Sequence, residues 1–337
     1  MRSGRPMWAA LHASWSSVRA AWPLLLGTGL ACGGGIPLES VPGDPIAFVR
    51  QEAAKGRLGL DVFREGLQLR AFEERGREHK VRLRTSLSLL EVPSGEIRSV
   101  PDATEGSLPL DWSADGYRLL IGRMTYAGGP IQLYTWNRLT GVYNRLSGAP
   151  SGGSAALGVG PIRLAGVGRV LQEDGSTRWG VVLRTDGAKN LPLVGGVGGI
   201  DPDIAPDGRT VVFARPHDAL SLREPVLWIA SLGDGEPRSI GRGSHPRFSR
   251  DGHWIVFTRT RAGNADVWRM RADGTRKRPI TTSSYDEEFP SVSRDGRYVV
   301  YASARGLQEE SQLFMTRVAD GEEIQLTQSG QNGRPIW

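Results

Sequence analysis

Few residues in this chain have the type and spacing that chemistry requires. His12, His79, His217, His245 and His253 are scattered with no paired spacing, which disfavours a histidine-built metal centre. Cys32 is the sole cysteine, so an intrachain disulfide and a cysteine-rich zinc site are both excluded. There is no G-x-S-x-G elbow, no H-E-x-x-H, no phosphate loop ending in Gly-Lys-Ser/Thr, and no G-x-G-x-x-G behind a strand. Carboxylates remain. Asp115, Asp207, Asp251 and Asp295 recur at regular distances, each directly before a glycine, which reads as a turn and not as a catalytic pair. The densest acidic run is Tyr285–Pro290, YDEEFP. No catalytic residue, cofactor or metal ligand is expected, so the chain reads as a non-enzyme.

The elements that carry these residues repeat. DPDIAPDGRTVVFAR from Asp201, HPRFSRDGHWIVFTR from His245 and FPSVSRDGRYVVYAS from Phe289 superpose without gaps. PLDWSADGYRLLIGR from Pro109 matches from Trp112 onward, and PIRLAGVGRVLQ from Pro161 is a decayed copy with Val167 where the aspartate belongs. Anchored on Gly116, Gly168, Gly208, Gly252 and Gly296, the intervals are 52, 40, 44 and 44 residues, the period of a four-stranded propeller blade. In each unit an apolar residue (Trp112, Leu164, Ile204, Phe248, Val292) anchors an inner strand, and the Asp-Gly turn follows. A second strand alternates apolar residues, and two more strands close the unit. Strand-periodic Trp112, Trp228, Trp254, Trp268 and Phe314 read as packing between strands and blades.

Glycine and proline together are 66 of 337 residues, which suits many tight turns and argues against a helical bundle. The expected fold is all-β: a six-bladed propeller of four-stranded blades. The final NGRPIW places Pro335 and Trp337 in the register of Pro290 and Val292, an inner strand with nothing after it. It is expected to pair with the first blade, formed by GDPIAFVR, SLSLLEV and EIRSVP, and so to close the ring. A first strand from Pro37 is the competing register. The distance from Gly43 to Gly116 is 73 residues, which predicts an insertion near 51–80.

The stretches Pro246–Gly252 with Trp268, Pro290–Gly296 with Phe314, Pro202–Gly208 with Trp228, and Trp112–Gly116 with Tyr134 resemble the TolB-type propeller repeat. The resemblance covers residues 105–337 well and 43–104 loosely. It implies a protein or peptide partner in a bacterial envelope, such as a peptidoglycan-associated lipoprotein, bound at a channel mouth that includes a His-Pro pair. The family's separate α/β domain before the propeller has no counterpart between Cys32 and the first blade.

The N-terminal segment carries Arg2, Arg5 and Arg19, no acid before Cys32, and the apolar run AAWPLLLGTGLA. This pattern describes a secretory signal, too short to span a bilayer. GLAC followed by GGG resembles a bacterial lipoprotein signal, with Gly29 as a departure, and implies lipidation of Cys32; an ordinary cleavable signal is the alternative. The expected organisation is a signal over 1–31, a tether over 32–42 and the propeller over 43–337. Removing the signal takes away three arginines and lowers the net charge from +6 to +3, so nucleic acid is not an expected partner. The expected product is a monomer on the periplasmic side of the envelope, lipid-anchored, with the outer membrane favoured.

Asp201, His245, Phe289 and Arg334 each precede an inner-strand proline and are expected at one mouth of the channel, together with Glu287 and Glu288. Asp201, His245, Glu287, Glu288 and Arg334 are the expected partner-binding residues. The opposite turns, with Arg250 and Arg294, are expected to take no part. A glycan- or small-molecule-binding ring and a metal-dependent lyase are the competing functions.

Overall fold

The structure is a computed structural model that describes residues 36, 40–51, 71–74, 77–80, 85–124, 131–150, 153–171, 174–185, 190–217, 224–231, 236–305 and 310–337. Cys32, the signal and most of the tether lie outside these residues. Among the described residues there is no α-helix, and six four-stranded antiparallel sheets form the blades.

Blade 1 orders β26 (Gln331–Ile336), β1 (Ile46–Gln51), β4 (Thr85–Glu91) and β5 (Glu96–Ser99) from the inside outward. Blade 2 holds β6 (Ser107–Trp112), β7 (Arg118–Met124), β8 (Ile131–Asn137) and β9 (Tyr143–Arg145). Blade 3 holds β10 (Ala155–Leu157), β11 (Ile162–Leu171), β12 (Thr177–Thr185) and β13 (Asn190–Val197). Blade 4 holds β14 (Ile200–Ile204), β15 (Thr210–Arg215), β16 (Val226–Ser231) and β17 (Arg238–Arg242). Blade 5 holds β18 (Ser244–Phe248), β19 (Trp254–Arg261), β20 (Asn264–Arg271) and β21 (Arg278–Pro279). Blade 6 holds β22 (Glu287–Val292), β23 (Tyr298–Ser303), β24 (Gln312–Arg317) and β25 (Glu323–Gln325). The expected insertion contains a two-stranded hairpin, β2 (Ala71–Glu74) and β3 (Arg77–Lys80).

The ring closes as the repeat register requires. The last strand, β26, pairs antiparallel with β1, Ala47 opposite Ile336 and Gln51 opposite Gln331. Trp337 is 7% exposed; its Nε1 donates to the Asp44 carbonyl at 3.0 Å and its backbone N–H to Ser291 Oγ at 2.9 Å. Ile36 and Val41 are buried in the same apolar cluster as Trp337, Tyr298 and Phe48. The second strands are buried on both faces: Ile46–Val49, Val211–Ala214, Ile255–Phe257 and Tyr298–Ala302 are all buried, with Phe48, Phe213, Phe257 and Tyr301 fully so.

The turn aspartates do what their spacing implies. Ser249 Oγ donates to Asp251 Oδ1 at 2.5 Å and the His253 N–H to the same oxygen at 3.0 Å; Ser113–Asp115–Tyr117 and Ser293–Asp295–Arg297 repeat the pattern. The Ser113 hydroxyl and the Tyr117 N–H hold Asp115 below the usual carboxylate range.

Blade 3 corrects the expected register. Gly168 is no turn: it lies inside β11, paired with Gly180, and Leu164 belongs to this second strand instead of an inner one. The inner strand is β10, and the turn is Gly158–Pro161, closed by the Gly158 N–H donating to the Arg163 carbonyl at 3.0 Å. This turn carries no aspartate. Gly160 presses against Gly208 of blade 4, where an added β-carbon would lie 2.7 Å from the neighbouring Cα, so close approach of the backbones has replaced the side-chain cap.

Candidate functional site

The inner strands share a local device that aims side chains at the channel. Asp201, His245, Phe289 and Arg334 have φ of 48°, 50°, 56° and 50°, each immediately before a proline. Next to each the ladder with the second strand shifts register, between Ile200 and Asp203, Ser244 and Arg247, and Glu288 and Ser291; in blade 1 the break lies between Ala47 and Val49, opposite Ile336 and Gly333. A bulge re-aims a side chain out of the pleat. Proline fits the following position because the channel-facing edge of an inner strand has no partner for an N–H. Left-handed backbone is unfavourable for any residue with a β-carbon, above all a bulky one such as Phe289. The same strain in four adjacent blades marks a site held in shape by its surroundings.

These four residues form a continuous arc over blades 4, 5, 6 and 1. His245 Nε2 lies 3.7 Å from Asp201 Oδ2. The His245 ring is 4.2 Å from the Phe289 ring, and the Arg334 guanidinium lies 5.1 Å from that ring. Pro109, Pro202, Pro246, Pro290 and Pro335 complete a shallow cup of about 40 Å³. Burial pulls the His245 imidazole below its usual range; the Asp201 and Glu288 carboxylates act in the opposite direction. Burial likewise lowers Arg334, with Asp201 opposing. His245 Nδ1 is buried and has no hydrogen-bond partner.

Of the expected rim residues, the structure brings Asp201, His245 and Arg334 together, with Glu288 close enough to act on both His245 and Arg334. Glu287 points elsewhere. It is fully buried and paired with Arg305, and Ser283 Oγ donates to its Oε1 at 2.6 Å. Burial raises its carboxyl, opposed by the hydrogen bond from Ser283. Asp286 accepts the Ala265 N–H at 2.9 Å and ties blade 6 to blade 5.

Below the cup the channel narrows at Arg247. From blade 5 its Nη2 crosses to the Leu110 carbonyl of blade 2 at 2.8 Å, and its Nη1 lies 3.4 Å from Asp203 Oδ1 of blade 4. Asp203 Oδ2 accepts the Phe248 N–H at 2.6 Å, and Asp111 Oδ2 accepts the Leu157 N–H at 2.8 Å, so each carboxylate staples one inner strand to the next. Burial first, and the neighbouring Asp203 second, push the Asp111 carboxyl up to about 6 despite Arg247.

On the far side of Arg247 the channel widens into a chamber of about 410 Å³ that opens among the turns. Arg250 and Arg294, expected to take no part in a site, line it. The Arg294 Nη2 donates to the Ala114 carbonyl at 2.8 Å, and the Arg250 Nη2 lies 3.5 Å from the Ser113 carbonyl. Sequence reasoning also missed Arg247, Asp111 and Asp203. For Asp203 and Arg247 the available signal was the residue after the inner-strand proline, polar in blades 4, 5 and 6 as Asp203, Arg247 and Ser291. Asp111 lies one residue further from Pro109, past a register shift, and Leu110 and Ile336 hold the equivalent place in blades 2 and 1. No group of three or more His, Cys, Asp or Glu able to hold a metal occurs among the described residues.

Residues 187–337 match a family described as the TolB beta propeller domain. An uncharacterized protein of Agrobacterium fabrum is 34% identical over 105 residues, and a TolB homolog of Chlorobium luteolum is 31% identical over 109 residues. The matched segments are 29% and 32% of this chain but only 34% and 24% of those relatives. The crystal structure of TolB from Acinetobacter baumannii superposes with a TM-score of 0.62 at 17% identity, covering 89% of this chain and 68% of that one. At that identity the likeness is one of fold.

Proposed function

We propose that this TolB-like propeller is a non-enzymatic binding protein of the bacterial envelope that holds a protein or peptide at the cup formed by Asp201, His245, Phe289 and Arg334. One observation carries the reading: four side chains of complementary character, each on backbone held at positive φ before a proline, meet at one mouth. A carboxylate, an imidazole, a phenyl ring and a guanidinium in sequence match the mixed polar and apolar surface of a peptide. Charges of both signs fix its register as it docks. A peptide from a peptidoglycan-associated lipoprotein is the partner that the TolB resemblance favours. Lipidation at Cys32 would hold the protein, as a monomer, on the periplasmic side of the envelope, most naturally at the outer membrane.

The test compares capture from envelope extract by immobilised wild type and by the His245→Ala, Glu288→Ala double variant. A specific band lost only in the variant, with an unchanged circular dichroism spectrum, supports the reading. Equal capture by both proteins refutes it. Intact mass of the protein from a bacterial membrane fraction tests the anchor; a soluble product with a free Cys32 thiol would end that part of the proposal.

A further inference from the structure

The wide chamber lies across the Arg247 constriction from the peptide cup, and its rim is built from one position of the repeat. Ala114, Val159, Pro206, Arg250 and Arg294 occupy the same place in the turns of blades 2 to 6, and all five line the chamber. Blades 2, 3 and 4 thus present small or apolar residues, whereas blades 5 and 6 present guanidinium groups. Deeper, Trp112, Leu157, Ile204, Val292 and Trp337 continue the apolar wall.

The charges do not cancel. Asp203 is engaged by Arg247 and by the Phe248 N–H, and Asp111 by the N–H groups of Trp112 and Leu157. Burial and the nearby Asp203 also leave Asp111 closer to neutrality than an ordinary carboxylate. Arg250 makes one long approach to a carbonyl and lies near enough to Asp111 to favour its ionised form; Arg294 makes one carbonyl bond and a 3.8 Å approach to Asp44. A guanidinium offers five donors in a planar fork suited to carboxylate or phosphate, so both arginines, which line the chamber, have more donors than these contacts use.

We infer that this chamber binds an amphipathic organic anion, its carboxylate or phosphate head on Arg250 and Arg294 and its compact apolar body against Ala114, Val159 and Pro206. The volume of about 410 Å³ lies in the range of small-molecule sites. Two sources share this chemistry, a free small molecule and the C-terminal carboxylate of a peptide with an apolar last residue. The inference does not rest on the peptide cup.

Calorimetric titration of the full chain with phenyl phosphate, with a short peptide ending in leucine, and with the same peptide amidated separates the cases. Saturable binding of phenyl phosphate or of the free-acid peptide, with the amide and inorganic phosphate at least tenfold weaker, is expected. Which of the two binds more tightly assigns the source. Arg250→Gln with Arg294→Gln should weaken binding roughly a hundredfold, about tenfold or more for each charge-assisted hydrogen bond removed. Val159→Asp, at an exposed turn tip, keeps the test valid if the double variant misfolds; its carboxylate should weaken binding severalfold. His245→Ala should leave it unchanged. Absence of saturable binding by every probe, indifference to both arginine and Val159 variants, or abolition by His245→Ala would overturn the inference.

Discussion

Asp111 and His245 should impose opposite pH dependences on stability. Asp111 titrates at about 6 in the folded chain, above the 3.8 of an ordinary aspartate, so folding takes up protons there. Its contribution is fully present below about pH 4 and is lost as the pH rises through 6. The ceiling is roughly 3 kcal/mol at 1.36 kcal/mol per unit, less because the carboxyl keeps partial contact with the chamber. The difference in urea midpoint between wild type and Asp111→Asn should therefore fall between pH 4 and 6 and level off above. His245 is lowered by burial, so the unfolded chain takes the proton first. Stability from His245 is present above about pH 6.5 and declines as the pH drops, and His245→Gln should flatten that limb. A midpoint difference for Asp111→Asn that rises with pH would reverse the assignment.

At the scale of the element, the turns differ in what their glycines must do. Gly208 and Gly296 both sit in left-handed backbone, at φ of 64° and 71°. A β-carbon at Gly296 meets nothing within 4 Å, whereas at Gly208 it would lie 2.3 Å from the Gly160 backbone. Gly296→Ala should cost about 1–2 kcal/mol from backbone strain alone. Gly208→Ala should cost clearly more, with blades 3 and 4 forced apart, and equal unfolding midpoints for the two variants would contradict this close approach. The same contrast explains which turns could be read in the sequence. Asp115, Asp207, Asp251 and Asp295 cap their own turns, so their blades were legible. Blade 3 closes its turn by backbone proximity at Gly160, which has no side-chain signature, and Gly168 took its place in the count. Alternation failed at Glu287 and Glu288 for a related reason. The bulge between Glu288 and Ser291 shifts the pleat, so a strict period of two cannot say which carboxylate faces the mouth and which faces Arg305. Arg247 escaped notice because one position of the repeat carries aspartate, arginine and serine in successive blades.

For the whole molecule, β26 was legible because its proline register repeats that of β22, and ring closure makes its contribution collective. Trp112 Nε1 donates to the Ile336 carbonyl at 3.2 Å, so the last strand is bonded to blade 2 as well as to β1. Trp337→Ala should cost about 3–5 kcal/mol, read from urea unfolding. Deleting residues 331–337 should lower the melting temperature further and expose the edge of β1 to aggregation. An unchanged melting curve would refute closure by this strand. The pairing of Ala47 with Ile336 also sets a timetable. A chain delivered from its N-terminus presents β1 long before β26 exists, so blade 1 must wait, with one edge open, while every other blade is made. Pairings of such sequence separation form slowly because the loop entropy is spent before they form. Folding of the ring is thus gated by residues 331–337, and a chain interrupted short of them is the species most in need of protection from its neighbours.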